Sequence, residues 1–596
     1  IWQYGNALGV PNLGGDTIFH PGFDENCLVN VVAVGLVRHD RIVRSRVPEV
    51  AKSRPYVLIL AGKPTDATGF GGATFASADL EEEGRTGAVQ VADPFLKRVL
   101  SEANAAVVEM LFERGVEFGF KDLGAGGIAC VSSELAAHGG MGMDLWLDEV
   151  PVAVRGLPPE VIACSETQER FGLAVPEEVA PDVLRIYNAD FDLPGLHPGA
   201  GAAVIGRFTA GGTYRVTCGG VEVASTPVEA VTRGISYDRP VEECPPPPPG
   251  PASMETHPSV DIPAMALSVH GASRRPVFSF YDSEVQGSTR LRPGEADASI
   301  VVPVPGCRVG LAAAGDGNPW ISSLDPWLGG AHAVGEAVRN VGSVGATPIA
   351  ATDCLNYGSP EVPAVMWQFR RGVEGIAHAC RAFGFEGDAL PIVSGNVSFY
   401  NMSPSGRAIP PSPVVAVFGR LDDFTRSTDC TLRAEGNPVV LFGERLDELG
   451  GSLFCRVCLG CDGGAPPGFR GALEKSMARC VLDWISRGIV RSCHDISEGG
   501  AALAALEMVM ASLEAGPRGI SLDIGTDPVA LYSETPGYLL EVEAERLPAE
   551  LPPFARVVGR VTGRPLLEGE GWSVDAGSLS PRWRDMLASV VWREEL

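Results

Sequence analysis

Two aspartates stand where a carboxylate could do chemistry. Asp122 in "KDLGAGG" and Asp495 in "HDISEGG" each close a short β-like run, and a Gly-Gly pair then opens a helical stretch. A carboxylate beside the free N–H groups of a helix start suits a magnesium ion and a phosphate. The same arrangement also serves as an ordinary N-terminal cap with turn glycines. "TGFGGATFAS" (68–77) is rich in Gly and small hydroxyls, as phosphate-holding loops are, yet it matches neither the P-loop nor the dinucleotide fingerprint. "CSETQERF" (164–171) crowds Glu166, Thr167, Gln168, Glu169 and Arg170 together, as a ligand loop or a solvated one would. Asp353 and Asn356 in "ATDCLNYGSPE" follow a β-like run and either ligate a metal or shape a turn. Cys455, Cys458 and Cys461 in "CRVCLGC" have iron–sulfur-like spacing, but no fourth ligand stands nearby and ordinary packing is the favoured reading. The 9 histidines assemble no Ser-His-Asp or Cys-His arrangement. His494 reads as structural, because the first motif carries Lys121 at that place.

The elements that must position these groups come in two copies. "VVAV" at Val31–Val34 recurs at Val414–Val417, 383 positions on, and the turn Gly15-Asp16 recurs as Gly395-Asn396, 380 positions on. "VLILAGKPTDATGFGGA" (57–73) matches "VVLFGERLDELGGS" (439–452), "DLGAGGIACVSSE" (122–134) matches "DISEGGAALAALE" (495–507), and "SETQERFGLAV" (165–175) matches "SETPGYLLEV" (533–542). Matches in one order, with offsets between 368 and 383, make the chain a tandem duplication. Each copy reads as α+β. Val29–Val37 and Pro413–Gly419 suit strands, as do Val57–Leu60 and Val439–Phe442. Apolar spacing predicts helices over 93–115 and 472–488, each leading to a strand that ends in the key aspartate. "ECPPPPPGP" reads as a stiff linker. The expected division is a remnant of a first N-terminal-type domain (1–50), a first C-terminal-type domain (51–240), the Pro-rich linker (241–275), a second N-terminal-type domain (276–428) and a second C-terminal-type domain (429–596). The offset places the start of copy one about a hundred residues before Ile1, so the chain is expected to lack the front of that copy.

Composition narrows the function classes. A net charge of −27 argues against a nucleic-acid surface, where Lys and Arg neutralise phosphates, and is compatible with a small anionic substrate held by backbone amides and Mg²⁺. The 14 cysteines, without dense regular spacing, suit a reducing cytoplasm. No run of about 18 apolar residues suggests a membrane span, and the first residues do not form a signal peptide.

"VQVADPF" (89–95), "KDLGAGGIACVSSE", "SETQERF", "TDCLNYGSPE", "VSGNVSFYN" and "HDISEGG" together resemble, in order and over nearly the whole chain, the synthetase subunit of phosphoribosylformylglycinamidine synthases. The resemblance implies a tandem duplication of the two-domain module of aminoimidazole ribonucleotide synthetases, with the first domain incomplete. It implies that ATP activates the amide oxygen of formylglycinamide ribonucleotide and that ammonia then displaces phosphate, giving formylglycinamidine ribonucleotide. Carried over residue by residue, Asp122 and Asn396 would ligate Mg²⁺, and Asp353 and Gly395 would contact ATP. Gln90, Glu166, Thr167, Gln168 and Ser398 would hold the ribonucleotide. Thr167 stands where the family usually has Ser, which keeps the hydroxyl. The family's catalytic histidines lie in a Ser-His-Asn-His-type segment that this chain does not contain, so no catalytic residue is assigned and the chain alone is expected to turn over little substrate. A glutaminase subunit and a small bridging subunit are the implied partners. Two other readings are another ATP-dependent synthetase or kinase of the same superfamily, which the tandem copies oppose, and a non-catalytic nucleotide-binding scaffold that docks a glutaminase.

Overall fold

The computed structural model describes residues 1–72, 91–250 and 261–591. It divides into two compact units. The first takes Ile1, residues 3–9 and 34–238, and the second takes Trp2, residues 10–33 and 239–596.

In the first unit, strands β1 (Tyr56–Gly62), β2 (Gly119–Asp122), β3 (Gly142–Trp146), β4 (Arg170–Pro176), β5 (Gly201–Thr209), β6 (Thr213–Cys218) and β7 (Val221–Pro227) form one sheet in the order β2-β4-β1-β5-β3-β6-β7. Helices α1 (Trp2–Leu8), α2 (Pro94–Glu113) and α3 (Gly127–His138) accompany it. Strand β1 is buried at every residue because the sheet is covered on both faces. Tyr56, Leu58 and Leu60 enter a core with Ile128, Val131 and Leu135 of α3. Val57, Ile59 and Ala61 point the other way, into a core with Leu96, Leu100, Ala103, Val107 and Leu111 of α2. The period of two in the strand and the 3–4 spacing in the helix therefore meet. Asp93 starts α2: its carboxylate accepts the Leu96 N–H at 2.9 Å, and Pro94 occupies a first-turn position where no N–H is needed.

The second unit holds two further sheets. Strands β8 (Thr289–Leu291), β9 (Ser299–Val301), β10 (Gly310–Asp316), β11 (Thr347–Asn356), β12 (Ile392–Ser398) and β13 (Ser412–Leu421) run in the order β12-β11-β13-β10-β9-β8, and α4 (Pro326–Ser343) and α5 (Pro363–Ala382) pack with this sheet in one core. Strands β14 (Pro438–Phe442), β15 (Val490–Ile496), β16 (Gly519–Leu522), β17 (Gly537–Val542), β18 (Ala555–Thr562), β19 (Leu566–Gly569) and β20 (Trp572–Asp575) run β15-β17-β14-β18-β16-β19-β20, flanked by α6 (Gly471–Ser486) and α7 (Gly500–Ala511). That is the strand order of the first unit, element for element, so the duplication read from short motifs is a duplication of architecture.

Two segments depart from simple expectation. Val29–Val37 forms no strand, and Val29, Val31, Leu36 and Val37 are exposed. The matching run in copy two lies in β13, between β10 and β11. β-branched composition supplies propensity, but a strand also needs a ladder partner, and none of the described residues provides one. The proline run up to Gly250 has no helix or strand and lies against its own unit: Pro363 O accepts the Glu242 N–H, and Pro248 O accepts the Gly464 N–H. No described helix is long and apolar enough to cross a membrane.

Candidate active site

Asp122 is the last residue of β2, and its carboxylate is exposed, with no hydrogen bond or ion pair among the described residues. Four residues on, Gly126 adopts φ +74° as the N-cap of α3. At Gly127, φ is +55° and a Cβ would collide with the Ser165 carbonyl oxygen. The Gly-Gly pair thus answers two demands, a left-handed cap and close contact with the segment that begins "SETQER". That contact brings Glu166 over the helix start, where its Oε1 accepts the Gly126 N–H at 3.4 Å.

The 165–170 loop is pinned from beneath. Arg170 is buried and donates from Nε to Thr167 O at 2.9 Å, from Nη1 to Thr65 Oγ1 at 2.8 Å and from Nη2 to Ser165 O at 2.5 Å. Burial lowers its pKa to about 10, with Asp66 pulling the other way. Thr167 donates to Asp66 Oδ1 at 2.9 Å, and Gln168 Nε2 donates to Glu166 O at 3.1 Å. Glu166, Thr167 and Gln168 therefore form one ordered loop with Asp122 at its flank. Gln90 lies outside the described residues.

In the second unit, β11 and β12 pair in parallel, with Asp353 opposite Gly395, Cys354 opposite Asn396 and Asn356 opposite Ser398. A side chain at position 395 would strike Asp353 Oδ1, so glycine there leaves the carboxylate its place. Burial pushes the Asp353 carboxyl above its usual range. Asn396 is exposed on an edge strand, and Ser398 accepts two hydrogen bonds from Asn401 Nδ2, at 2.9 Å on O and 3.3 Å on Oγ. Each unit thus gathers its own subset of the expected residues.

The family model described as AIR synthase related protein, C-terminal domain, matches residues 56–219 and 434–570, and the corresponding N-terminal domain model matches residues 1–37 and 295–421. The phosphoribosylformylglycinamidine synthase subunit PurL of Methanothrix thermoacetophila is 46% identical over 561 residues, 91% of this chain and 71% of that protein. The chain belongs to the family of phosphoribosylformylglycinamidine synthase subunit PurL. Among solved structures, Thermotoga maritima PurL complexed with FGAR superimposes with a TM-score of 0.71 at 26% identity, covering 94% of this chain and 80% of that one. The PurLQS structure from Thermotoga maritima gives 0.68 at 25%, covering 94% and 79%. As a PurL family member the chain is a ligase subunit of purine biosynthesis, and it serves the ATP-dependent synthesis of formylglycinamidine ribonucleotide.

Within this PurL-type chain, copy two supplies an internal comparison. Asp495 occupies the place of Asp122, but it is buried and its Oδ2 lies 3.5 Å from Arg339 Nε. Arg339, from α4, also meets Glu474 at 3.3 Å and Glu336 at 3.4 Å. Burial, reinforced by Asp297, pushes the Asp495 carboxyl up to about 7. The guanidinium thus engages in copy two the carboxylate that copy one leaves free. Asp297, Cys430 and His494 form the one group with metal-ligand spacing among the described residues. His494 lies between two carboxylates, with Nδ1 2.8 Å from Asp297 and Nε2 3.1 Å from Glu507. Burial opposes its charge, but Asp297 and Glu507 hold its pKa well above the usual value. The copy-one counterparts, Lys121 and Glu134, are an ion pair at 2.9 Å. His494 is therefore the cation of a duplicated ion pair and needs no metal to satisfy it. Cys455, Cys458 and Cys461 are not among the groups with metal-ligand spacing in the described residues; Cys455 is buried in an apolar core, with Cys458 packed against that core.

The sequence left Arg170 without a role, and its signal was faint. Copy two has Arg445, which donates to Ser533 O and Pro536 O at 3.2 Å each from the segment after β14, whereas Arg170 begins β4. A similar carbonyl anchor is delivered from a different part of the chain, so no motif alignment pairs the two arginines.

Proposed function

We propose that the first unit carries most of the ribonucleotide-binding residues and one metal ligand of a formylglycinamidine ribonucleotide synthase, and that β11 and β12 carry the nucleotide contacts together with a further metal ligand and a further ribonucleotide-binding residue. Glu166, Thr167 and Gln168, with Gln90 and Ser398, hold the phosphoribosyl substrate, while Asp353 and Gly395 contact ATP. Asp122 and Asn396 are the Mg²⁺ ligands: both offer hard oxygen donors on exposed side chains, the donor type that magnesium takes. When bound, Mg²⁺ would neutralise triphosphate charge. The protein groups do the positioning. Arg170 fixes the carbonyls at both ends of the Ser165–Thr167 turn, and Gly126 directs its N–H to Glu166.

The observation that carries this reading is the contrast between the two copies. Asp122 stands unengaged at a strand end beside a helix start, while Asp495, its duplicate, is tied to Arg339. A glutaminase subunit would deliver ammonia and a small bridging subunit would join the two, in the cytoplasm. PurLQS, the assembly from Thermotoga maritima, supports a multi-subunit arrangement of this kind.

Calorimetric titration tests the assignment. Formylglycinamide ribonucleotide should bind the purified chain, and absence of binding would sink the substrate assignment. Mg²⁺ titrated into the ATP-loaded chain should bind about tenfold or more weakly to Asp122→Asn, the effect of losing one contact to a charged group. The melting temperature should not change, because the side chain is exposed. Unchanged Mg²⁺ affinity would remove Asp122 from the metal site.

A further inference from the structure

The substrate loop of copy one is one residue longer than its duplicate. Strand register sets Phe171 beside Asp122 and Tyr538 beside Asp495. Counting back to the shared Ser-Glu-Thr, copy one inserts Gln168, Glu169 and Arg170 where copy two has only Pro536 and Gly537. The extra residue is absorbed by a left-handed turn at Glu169, φ +55°, a conformation that side-chain-bearing residues adopt at a cost. Gly62 lies under that turn: a Cβ there would collide with Glu169 O, much as one at Gly443 would crowd Pro536 O.

The strained residue is also buried and charged. Its side chain is 1% exposed, and Lys63, whose side chain is 9% exposed, approaches Glu169 Oε2 at 3.8 Å. Lys63 Nζ donates to Val91 O at 3.2 Å, and Glu169 Oε1 accepts the Asp93 N–H at 3.3 Å. The Tyr4 hydroxyl of α1 donates to the same oxygen. One ion pair therefore joins three pieces: the end of β1, the segment 91–93 and the loop 165–170. Copy two cannot make it, since Glu444 follows Gly443 where Lys63 follows Gly62, and Pro536 takes the place of Glu169. Strain that persists at one copy's loop, sustained by a buried pair the other copy lacks, points to a constraint from function rather than from the fold.

We propose that Lys63 and Glu169 are positioning residues, a buried clamp that holds the Glu166–Gln168 loop against the Val91–Asp93 segment in the geometry that receives the phosphoribosyl substrate. This rests on the proposal that Glu166, Thr167 and Gln168 hold that substrate. Glu169→Gly, Lys63→Met and Lys63→Arg separate positioning from mere stability. Glycine relieves the left-handed strain but leaves the Lys63 ammonium buried without its partner, so Glu169→Gly should lower the melting temperature and weaken formylglycinamide ribonucleotide binding tenfold or more. Lys63→Met should weaken it similarly and Lys63→Arg should stay within threefold of the parent. ATP affinity should not move in any of them. Hydrogen exchange should speed at the Asp93 amide in Glu169→Gly, with β1 and β5 unchanged. Variants that bind the ribonucleotide as tightly as the parent would overturn the clamp, as would an unchanged Asp93 exchange rate. A parent chain that does not bind the ribonucleotide would overturn the substrate assignment itself, a result distinct from equal binding by parent and variants.

Discussion

Copy two buries Asp495 where copy one leaves Asp122 exposed, and a second buried carboxylate of copy two has a measurable consequence at a single residue. Glu534, the duplicate of Glu166, accepts the Leu453 N–H at 2.7 Å and the Gly499 N–H at 2.8 Å, and burial pushes its carboxyl up to about 7 against the opposing pull of Arg456. An unfolded glutamate titrates near pH 4.3. A folded pKa above the unfolded one means that the folded state holds its proton more tightly. The stabilisation this group confers is full below about pH 4 and is lost as pH rises through about 7. The melting temperature of the protein should therefore fall between pH 4.5 and pH 8, and Glu534→Gln, which keeps an accepting oxygen, should fall less steeply. Scanning fluorimetry across a pH series checks this, and identical slopes would remove Glu534 from the effect. At this scale the sequence was only partly legible. Asp122 and Asp495 look alike in their motifs, and what separates them is a guanidinium 156 positions before Asp495 in the chain.

The Gly-Gly turns act at the scale of elements. Gly127 and Gly500 both have positive φ, +55° and +66°, and a Cβ at either would press on the backbone just before or at the start of the Ser-Glu-Thr segment, at Ser165 or at Leu531 and Tyr532. Gly127→Ala should destabilise the first unit by about 2–4 kcal/mol, combining the left-handed penalty with overpacking. Chemical denaturation followed by tryptophan fluorescence measures it, and a loss under about 1 kcal/mol would show that the helix start can shift away from the loop. Helix and strand types were readable here, because α2 and α6 carry apolar spacing that closes on a face and β1 and β14 are short apolar runs. Val29–Val37 was misread as a strand for the reason such readings fail: a ladder is a property of two segments, and only one of them was in view.

For the molecule as a whole, a net charge of −27 sets a background of self-repulsion. Salt at about 0.15 M shortens the screening length to about 8 Å. Raising NaCl from low to physiological concentration should raise the melting temperature by a few degrees, a shift on the order of 1 kcal/mol. A melting temperature that falls with NaCl would mean that attractive ion pairs such as Arg339 with Glu474 outweigh the repulsion. The duplication, the fold class and the PurL resemblance were determined by the sequence alone, because repeated motifs at a steady offset survive as letters whatever the chain does in space. Three things were decided only by the tertiary structure: that Asp495 is bound to Arg339 while Asp122 is free, that Arg170 and Arg445 pin corresponding loops of the two copies from different places in the chain, and that one extra residue turns Glu169 left-handed against Lys63. Each depends on groups far apart in the chain meeting at a few ångströms, and electrostatic and hydrogen-bond energies are set by that distance and by burial, neither of which is written in the order of residues.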